Sequence, residues 1–389
     1  MQDTTLTSKL PRVGTTIFTV MSRLAAETGA INLGQGFPDF DPPARLRELV
    51  AQHLGAGHNQ YAPMAGLPAL CEAIAGGAAR RHGWRIDPGA EITVTAGATE
   101  AIFAAIHAIV RAGEEVVLLD PSYDPYGPAA ELAGARVVRV PLAVADFGID
   151  WERLAAAIGP RTRLVVVNTP LNPAGAVLSA GDWNRLADLL EHRDAYVLSD
   201  EVYEALVFDG LRHAGVLGNE RLRGRAFAIF SFGKTYNATG WKVGYCVAAP
   251  PLTAEFRKVH QFLTFAVSTP VQHAIADYMG EVPGFADGQG PFYQARRDRF
   301  AGLLQGSRFV LRPVHGTYFQ LADYSAVSDL PDAAFCEALT RRHGVAAIPL
   351  SPFCDQPPEV RLVRFCFAKH DATLEAAAEK LRAVRGVPE

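Results

Sequence analysis

Between residues 92 and 248 the chain alternates short apolar runs with stretches of helical spacing. The runs are ITVT (92–95), VVLL (116–119), VVRV (137–140), LVVV (164–167), YVLS (196–199), FAIF (227–230) and YCVA (245–248). Several are apolar on successive residues rather than alternating. That pattern suits strands buried on both faces of a parallel sheet. Between them Ile102, Ala105, Ile106 and Ile109, and then Leu186, Leu189 and Leu190, recur one helical turn apart. The arrangement predicts an α/β fold with a doubly wound, mostly parallel seven-stranded sheet.

The two ends of the chain read differently. Leu46, Leu49, Val50 and Leu54 predict an early amphipathic helix, preceded by GQGFPDFDPP, which is rigid and non-helical. After residue 300 come FVLRPV, TYFQLADY and VRLVRFCFA, strand-like, with a hairpin-type turn at His315-Gly316. A last helix would place Leu374, Ala378, Leu381 and Val384 on one face. The expected division is an N-terminal arm with part of a small domain (1–45), a large domain (46–285) and a smaller C-terminal α+β domain (286–389).

Composition narrows the function classes. Of 389 residues, 49% are hydrophobic and 20% charged, which excludes disorder as the main state. Thirty-seven basic against 41 acidic residues leave a net charge of −4. There is no electrostatic footprint for nucleic acid and no polybasic membrane patch. No apolar run approaches a membrane span, and the first residues lack the pattern of a secretory signal, so a cytoplasmic protein is expected. Five scattered cysteines argue against a disulfide framework, and the eleven histidines show no metal-ligand spacing, so no metal is expected.

Three apolar runs end in polar clusters. LVVV leads into Asn168 to Pro173, YVLS into Asp200-Glu201-Val202-Tyr203, and FAIF into Ser231-Phe232-Gly233-Lys234. Ligands of open parallel sheets bind outside the carboxyl ends of strands, so these clusters can share one crevice. Gly97-Ala98-Thr99, between a strand and a helix, can present backbone N–H groups to an anion. Two rival motifs fail. A phosphate loop ending in Gly233-Lys234-Thr235 would need glycine at 228, which is Ala228, and the dinucleotide motif begun by Gly34 and Gly36 has Asp39 at its third glycine.

The remaining set suits a carbonyl cofactor with a phosphate handle and a basic ring nitrogen. Lys234 can attach covalently to the carbonyl. Asp200 can hold a pyridine nitrogen protonated. Asn172 and Tyr203 can donate to a phenolate oxygen, and Tyr123 can stack on the ring. Gly97, Ala98, Thr99, Ser231 and Lys242 can satisfy a phosphate dianion. The cofactor that fits is pyridoxal 5′-phosphate.

TAGATEA, DPSYDPY, NTPLNPAG, SDEVY, SFGKTYNATGWKVG and VRFCFA, in this order, resemble the fold-type-I pyridoxal-phosphate aminotransferases of class I/II. The resemblance runs from about Thr15 to the last helix. TTIFTVMSRLAAETGAINLGQGFPDF and QYAPMAGLPALCEAI look most like bacterial methionine aminotransferases, with kynurenine aminotransferases next. It implies a ping-pong transfer of an amino group from an amino acid to a 2-oxo acid. Lys234 would move the proton, with Asp200 and Tyr203 as its catalytic partners. Arg364 would clamp the substrate carboxylate, helped by the Gly36 N–H and Asn172. Tyr61 would reach the cofactor of a second subunit in a homodimer. The side-chain pocket, formed from Phe18, Phe37, Tyr61 and Phe265, looks apolar. Methionine and large neutral or aromatic donors are therefore expected, with cysteine-conjugate β-elimination or kynurenine transamination as the alternative use of the site. Two positions depart from many relatives: Gly233 stands where serine is common, and Lys242 where arginine is common.

Overall fold

Residues 6–387 are described in a computed structural model of the chain. All seven apolar runs form strands of one sheet. Their order is Ile92–Thr95, Gly244–Ala248, Ala226–Ser231, Tyr196–Asp200, Thr162–Asn168, Glu115–Asp120 and Arg136–Pro141. Only Gly244–Ala248 runs against its neighbours. The interior strands are buried along their length: Val116, Val117, Leu118, Val165 and Val197 are wholly inaccessible. Successive apolar residues serve both faces because helices cover both. Ala98–Ile109 and Pro250–Leu263 close one face, while Pro68–His82, Ala180–Leu190 and Thr269–Glu281 close the other.

The sheet positions the site through its topology. The chain passes from Glu115–Asp120 outward to Arg136–Pro141, then returns to Thr162–Asn168 on the other side. The carboxyl ends of Glu115–Asp120 and Thr162–Asn168 therefore diverge at a switch point, which opens a crevice.

A second, antiparallel sheet lies over that crevice. Its order is Ile348–Pro349, Leu362–Cys366, Phe319–Asp323 and Val310–Leu311. The N-terminal strand Ile31–Asn32 pairs with Val345–Ala346 beside it. Helices Gln289–Leu303, Asp332–His343 and Asp371–Ala383 back this layer. Leu374, Ala378, Leu381 and Val384 are all buried, as their spacing predicts. His315-Gly316 lies in the link between Val310–Leu311 and Phe319–Asp323, and Gly316 bridges to Val207. His107, on helix Ala98–Ile109, stacks on Phe103 at 4.1 Å with its Nε2 buried. No helix among the described residues is long and apolar enough to cross a membrane.

Candidate active site

The crevice encloses about 410 Å³. Its floor is made by strand ends. Asp200 closes Tyr196–Asp200, Ser231 closes Ala226–Ser231, and Lys234 follows one turn later on the short helix Phe232–Thr235. Asn168 ends the neighbouring strand; its Nδ2 donates to the Asp200 carbonyl at 2.9 Å and its Oδ1 accepts from the Asn172 N–H at 2.8 Å.

Asp200 is 3% exposed. Its carboxylate accepts from the Tyr126 hydroxyl at 2.5 Å and from the Val202 N–H at 3.3 Å. Burial dominates even so, and its pKa is pushed up to about 6. Among the described residues no cation lies within ion-pair distance of Asp200. Lys234 Nζ donates to the Tyr318 hydroxyl at 3.0 Å and to the Gly36 carbonyl at 3.3 Å. Burial, with Arg364 and Lys242 nearby, brings its pKa down to about 8. Burial thus brings both groups toward neutrality within one cavity.

The anion cradle lies at one end. Gly97, with φ of 78°, precedes helix Ala98–Ile109 and leaves the first N–H groups of that helix facing the cavity. A Cβ at Gly97 would come 3.2 Å from Lys242 Nζ, so glycine lets the ammonium lie over the turn. Lys242 itself takes a left-handed backbone, φ 54° and ψ 50°. At Gly233 a Cβ would stand 3.0 Å from the Cα of Thr239, a tight fit that favours glycine. Thr239 also lines the cavity.

The roof carries Arg364, 1% exposed on the central strand Leu362–Cys366. Its Nη1 donates to Asn172 Oδ1 at 2.8 Å and its Nη2 to the Gly34 carbonyl at 2.9 Å. The guanidinium lies 3.8 Å over the Phe319 ring, and its Nε has no partner. A buried cation held only by neutral acceptors costs several kcal/mol unless an anion arrives; burial already pulls its pKa down to about 10. Phe18 and Phe353 flank it at 5.2 and 5.4 Å.

The cavity thus gathers Gly36, Gly97, Ala98, Thr99, Tyr123, Asn172, Asp200, Tyr203, Ser231, Lys234, Lys242, Arg364, Phe18 and Phe37. It does not include Tyr61 or Phe265 of the same chain. Those two pair edge-to-face at 5.4 Å on the outer surface, 84% and 43% exposed. Phe265 has a left-handed φ of 68° just past helix Pro250–Leu263, which turns it away from the cavity. Gly36 differs in detail: its carbonyl accepts from Tyr318, while a Cβ there would meet the Phe319 ring at 2.9 Å. Tyr126 and Tyr318 were not singled out from sequence. Tyr126 sits in DPSYDPY and Tyr318 in TYFQLADY, where each reads as one more core aromatic.

Residues 28–381 match the family described as aminotransferase class I and II. The chain belongs to that family. The aminotransferase is 53% identical to methionine aminotransferase of Escherichia coli over 375 residues, covering 96% of this chain and 97% of that one. A solved E. coli structure, whose reactivity identified a methionine aminotransferase function, superposes with a TM-score of 0.96 over 97% of this chain and 99% of that one. A probable N-succinyldiaminopimelate aminotransferase of Mycobacterium tuberculosis is 41% identical over 96% of this chain and 97% of its own length. Mouse kynurenine–oxoglutarate transaminase 1 is 34% identical, covering 95% of each chain. The seven-stranded sheet of this aminotransferase is thus the family's own fold.

Proposed function

We propose that this aminotransferase works with pyridoxal 5′-phosphate and takes methionine and other large neutral or aromatic amino acids as donors to a 2-oxo acid. The observation that carries the reading is the convergence on one cavity of Asp200 and Arg364, from strands of two different sheets, and Lys234, from the short helix after a third strand. The donor set fits the cofactor. Asp200, buried without a cation, is matched by a protonated ring nitrogen. Gly97 to Thr99, Ser231 and Lys242 would hold the phosphate, Tyr123 would lie against the ring, and Asn172 and Tyr203 would hold its phenolate oxygen. When bound, the cofactor supplies an electron sink for the Cα–H bond of the amino acid.

The chain's residues do the rest. Arg364 binds the α-carboxylate through the Nε and Nη edge that protein acceptors leave open, which fixes Cα relative to Lys234. Lys234 Nζ, poised near neutrality, takes the Cα proton and later returns it. Tyr318 holds Nζ and the Gly36 carbonyl together at the cavity wall. Asp200 keeps its charge opposite the ring throughout. Phe18, Phe37 and Phe319 give the remaining wall its apolar part, beside Thr16, Gln35 and Asp124, and the lining cations Lys234, Lys242 and Arg364 all have tasks. A dicarboxylate donor would need one more.

A homodimer belongs to the same proposal. Tyr61, Phe262, Leu263 and Phe265 are 84%, 86%, 46% and 43% exposed, an apolar surface suited to a second copy. There Tyr61 would reach the partner's phosphate. A cytoplasmic location agrees with five free cysteines.

Absorption spectroscopy tests the reading. Purified protein should show the visible band of a lysine-bound cofactor, lose it on adding methionine and regain it with a 2-oxo acid. Donor profiling tests the specificity, and aspartate as the best donor would contradict the apolar wall.

A further inference from the structure

Away from the cavity, two histidines five residues apart meet a third more than two hundred residues on. His53 lies in the last turn of helix Ala44–Gly55, His58 in the loop after it, and His273 in helix Thr269–Glu281, which packs against the first helix. One ring nitrogen from each lies within 4.8 Å of the other two. The rings stack as a group, with centroids 5.0 Å apart for His53–His58, 5.0 Å for His53–His273 and 4.0 Å for His58–His273. All three are partly buried, so one side of the group meets solvent.

We propose that His53, His58 and His273 bind a divalent transition-metal ion, of which zinc, nickel and copper(II) are the candidates. The argument has three parts. Imidazole nitrogens select these ions over magnesium and calcium, which require oxygen ligands. Three protein nitrogens with an open side match a tetrahedral ion that keeps a water as fourth ligand. A metal–nitrogen bond of about 2.0–2.1 Å puts tetrahedral nitrogens roughly 3.3 Å apart; His53 Nδ1 and His58 Nδ1, now 2.8 Å apart, would open slightly as the ion replaces their hydrogen bond, and the third ring would close on them.

The third part is the partner behind the site. His53 Nε2 lies 2.7 Å from Asp277 Oδ2. That contact places the His53 proton on Nε2 and leaves Nδ1 with its lone pair toward the other two rings. Metal-ligating histidines characteristically carry such a carboxylate on the far nitrogen. Without metal, His58 Nδ1–H donates to His53 Nδ1. With metal, the His58 proton moves to its own Nε2, so all three ligands bind as neutral imidazoles and no net proton is lost.

The ion would join helix Ala44–Gly55, the loop at 56–60 and helix Thr269–Glu281 at one point. The loop leads to Tyr61, so the site would act as a structural clip on that segment. None of the three histidines lines the cavity, and the proposal stands whether or not the donor assignment does.

The test uses tag-free, cofactor-loaded protein, stripped of metal with a chelator and titrated with zinc chloride in a calorimeter. One zinc per chain is expected, displaced by nickel or copper(II) and not by magnesium. With copper(II), the electron paramagnetic resonance spectrum should show coupling to imidazole nitrogens. His58→Ala and His273→Ala, made separately, should each abolish stoichiometric binding while circular dichroism stays native. Asp277→Asn, a half-exposed change with little bearing on folding, should weaken binding about 10–100-fold. The absence of stoichiometric zinc binding by the unaltered protein overturns the proposal. So does binding of unchanged affinity in both histidine variants, or in the Asp277→Asn variant.

Discussion

The floor and the roof of the cavity are built by different means. On the floor, Asn168, Asp200 and Ser231 end adjacent strands: Asn168 pairs directly with Asp200 at the sheet spacing of about 4.8 Å, and Ser231 stands two residues beyond Asp200's partner Ile229, so the backbone sets their separation before any side-chain contact forms. The roof has no such ruler. Arg364 reaches the Gly34 carbonyl across 330 residues of sequence, and Tyr318 reaches Gly36 across 282. The floor is therefore preorganised by the backbone, whereas the roof depends on the N-terminal segment staying docked on the small sheet. Damage to the floor should appear in cofactor chemistry, and damage to the roof in substrate affinity.

The strongest test of the floor is Lys234→Ala. Turnover should fall by about 10⁴ or more, the upper range for a positioned proton-transfer group. Cofactor should still be retained noncovalently, since the cradle and Asp200 are untouched. Steady-state assays with methionine and cofactor quantification on the same sample check both halves. Normal transamination by this variant would remove the chemical basis of the site.

Asp200→Asn comes next. Losing one partner of a buried charge pair costs about 3–5 kcal/mol, or roughly 10²–10⁴ in kcat. The cofactor-free protein should move the other way. Its Asp200 pKa is raised from 3.8 to about 6, so the folded state penalises the carboxylate charge. Below pH 3.8 the group is protonated in both states and there is no penalty. As pH rises toward 6 the unfolded chain ionises first, and folded stability falls. Above 6 the penalty is complete. The Asp200→Asn variant carries no such penalty, so its cofactor-free Tm should gain on the unaltered protein between pH 4 and 6 and hold that gain above. A pKa raised from 3.8 to about 6 corresponds to about 3 kcal/mol, and the charged acceptor that Tyr126 loses reduces the gain. Thermal melts across pH, with and without cofactor, check the sign; a gain that survives cofactor binding would mean Asp200 does not pair with the ring.

The same contrast explains what could be read from sequence. The floor was legible because each strand is a run of apolar residues that stops at a polar cluster, and the Asp200–Lys234 spacing of 34 belongs to one crossover between neighbouring strands. Arg364 was legible through the resemblance of VRFCFA, where it is a charge between apolar neighbours, and not through any strand-end pattern. Tyr126 and Tyr318 were not, because a hydroxyl's partner depends on tertiary approach and nothing local separates them from other buried tyrosines. The histidine group escaped for the same reason: His53 and His58 lie five apart and His273 more than two hundred residues on. Tyr61 and Phe265 were suggested as pocket lining by aromatic character; neither lines the cavity of its own chain, and both stand on the outer surface of the single chain, where a second copy would meet them.

On the roof, Arg364→Lys keeps the charge and loses the planar fork. One or more charge-assisted hydrogen bonds to the carboxylate disappear, each worth about 1.5–3 kcal/mol, so kcat/KM should fall about 10–100-fold. Amino acid and 2-oxo acid share the carboxylate, so both half-reactions should suffer alike while cofactor affinity is unchanged. Titration of the two half-reactions by absorbance measures this directly. A loss confined to one half-reaction would place the carboxylate elsewhere.

Tyr318→Phe is the smallest change and the one that divides roof from floor most finely. The ring stays packed against Phe319 at 4.9 Å and Tyr203 at 5.3 Å, so only the hydroxyl is removed. That hydroxyl donates to the Gly36 carbonyl at 2.6 Å and accepts from Lys234 at 3.0 Å. A neutral hydrogen bond is worth about 0.5–1.5 kcal/mol, which predicts a two- to tenfold effect at most. If the bond to Gly36 matters more, the N-terminal segment loosens over the substrate, and KM rises for both substrates with kcat nearly constant. If the bond to Lys234 matters more, the ammonium loses an acceptor, its pKa drops further below about 8, and kcat falls with KM unchanged. The shorter bond favours the first outcome. A pure kcat effect would move Tyr318 to the lysine's side and leave Arg364 as the anchor that ties the roof to the floor.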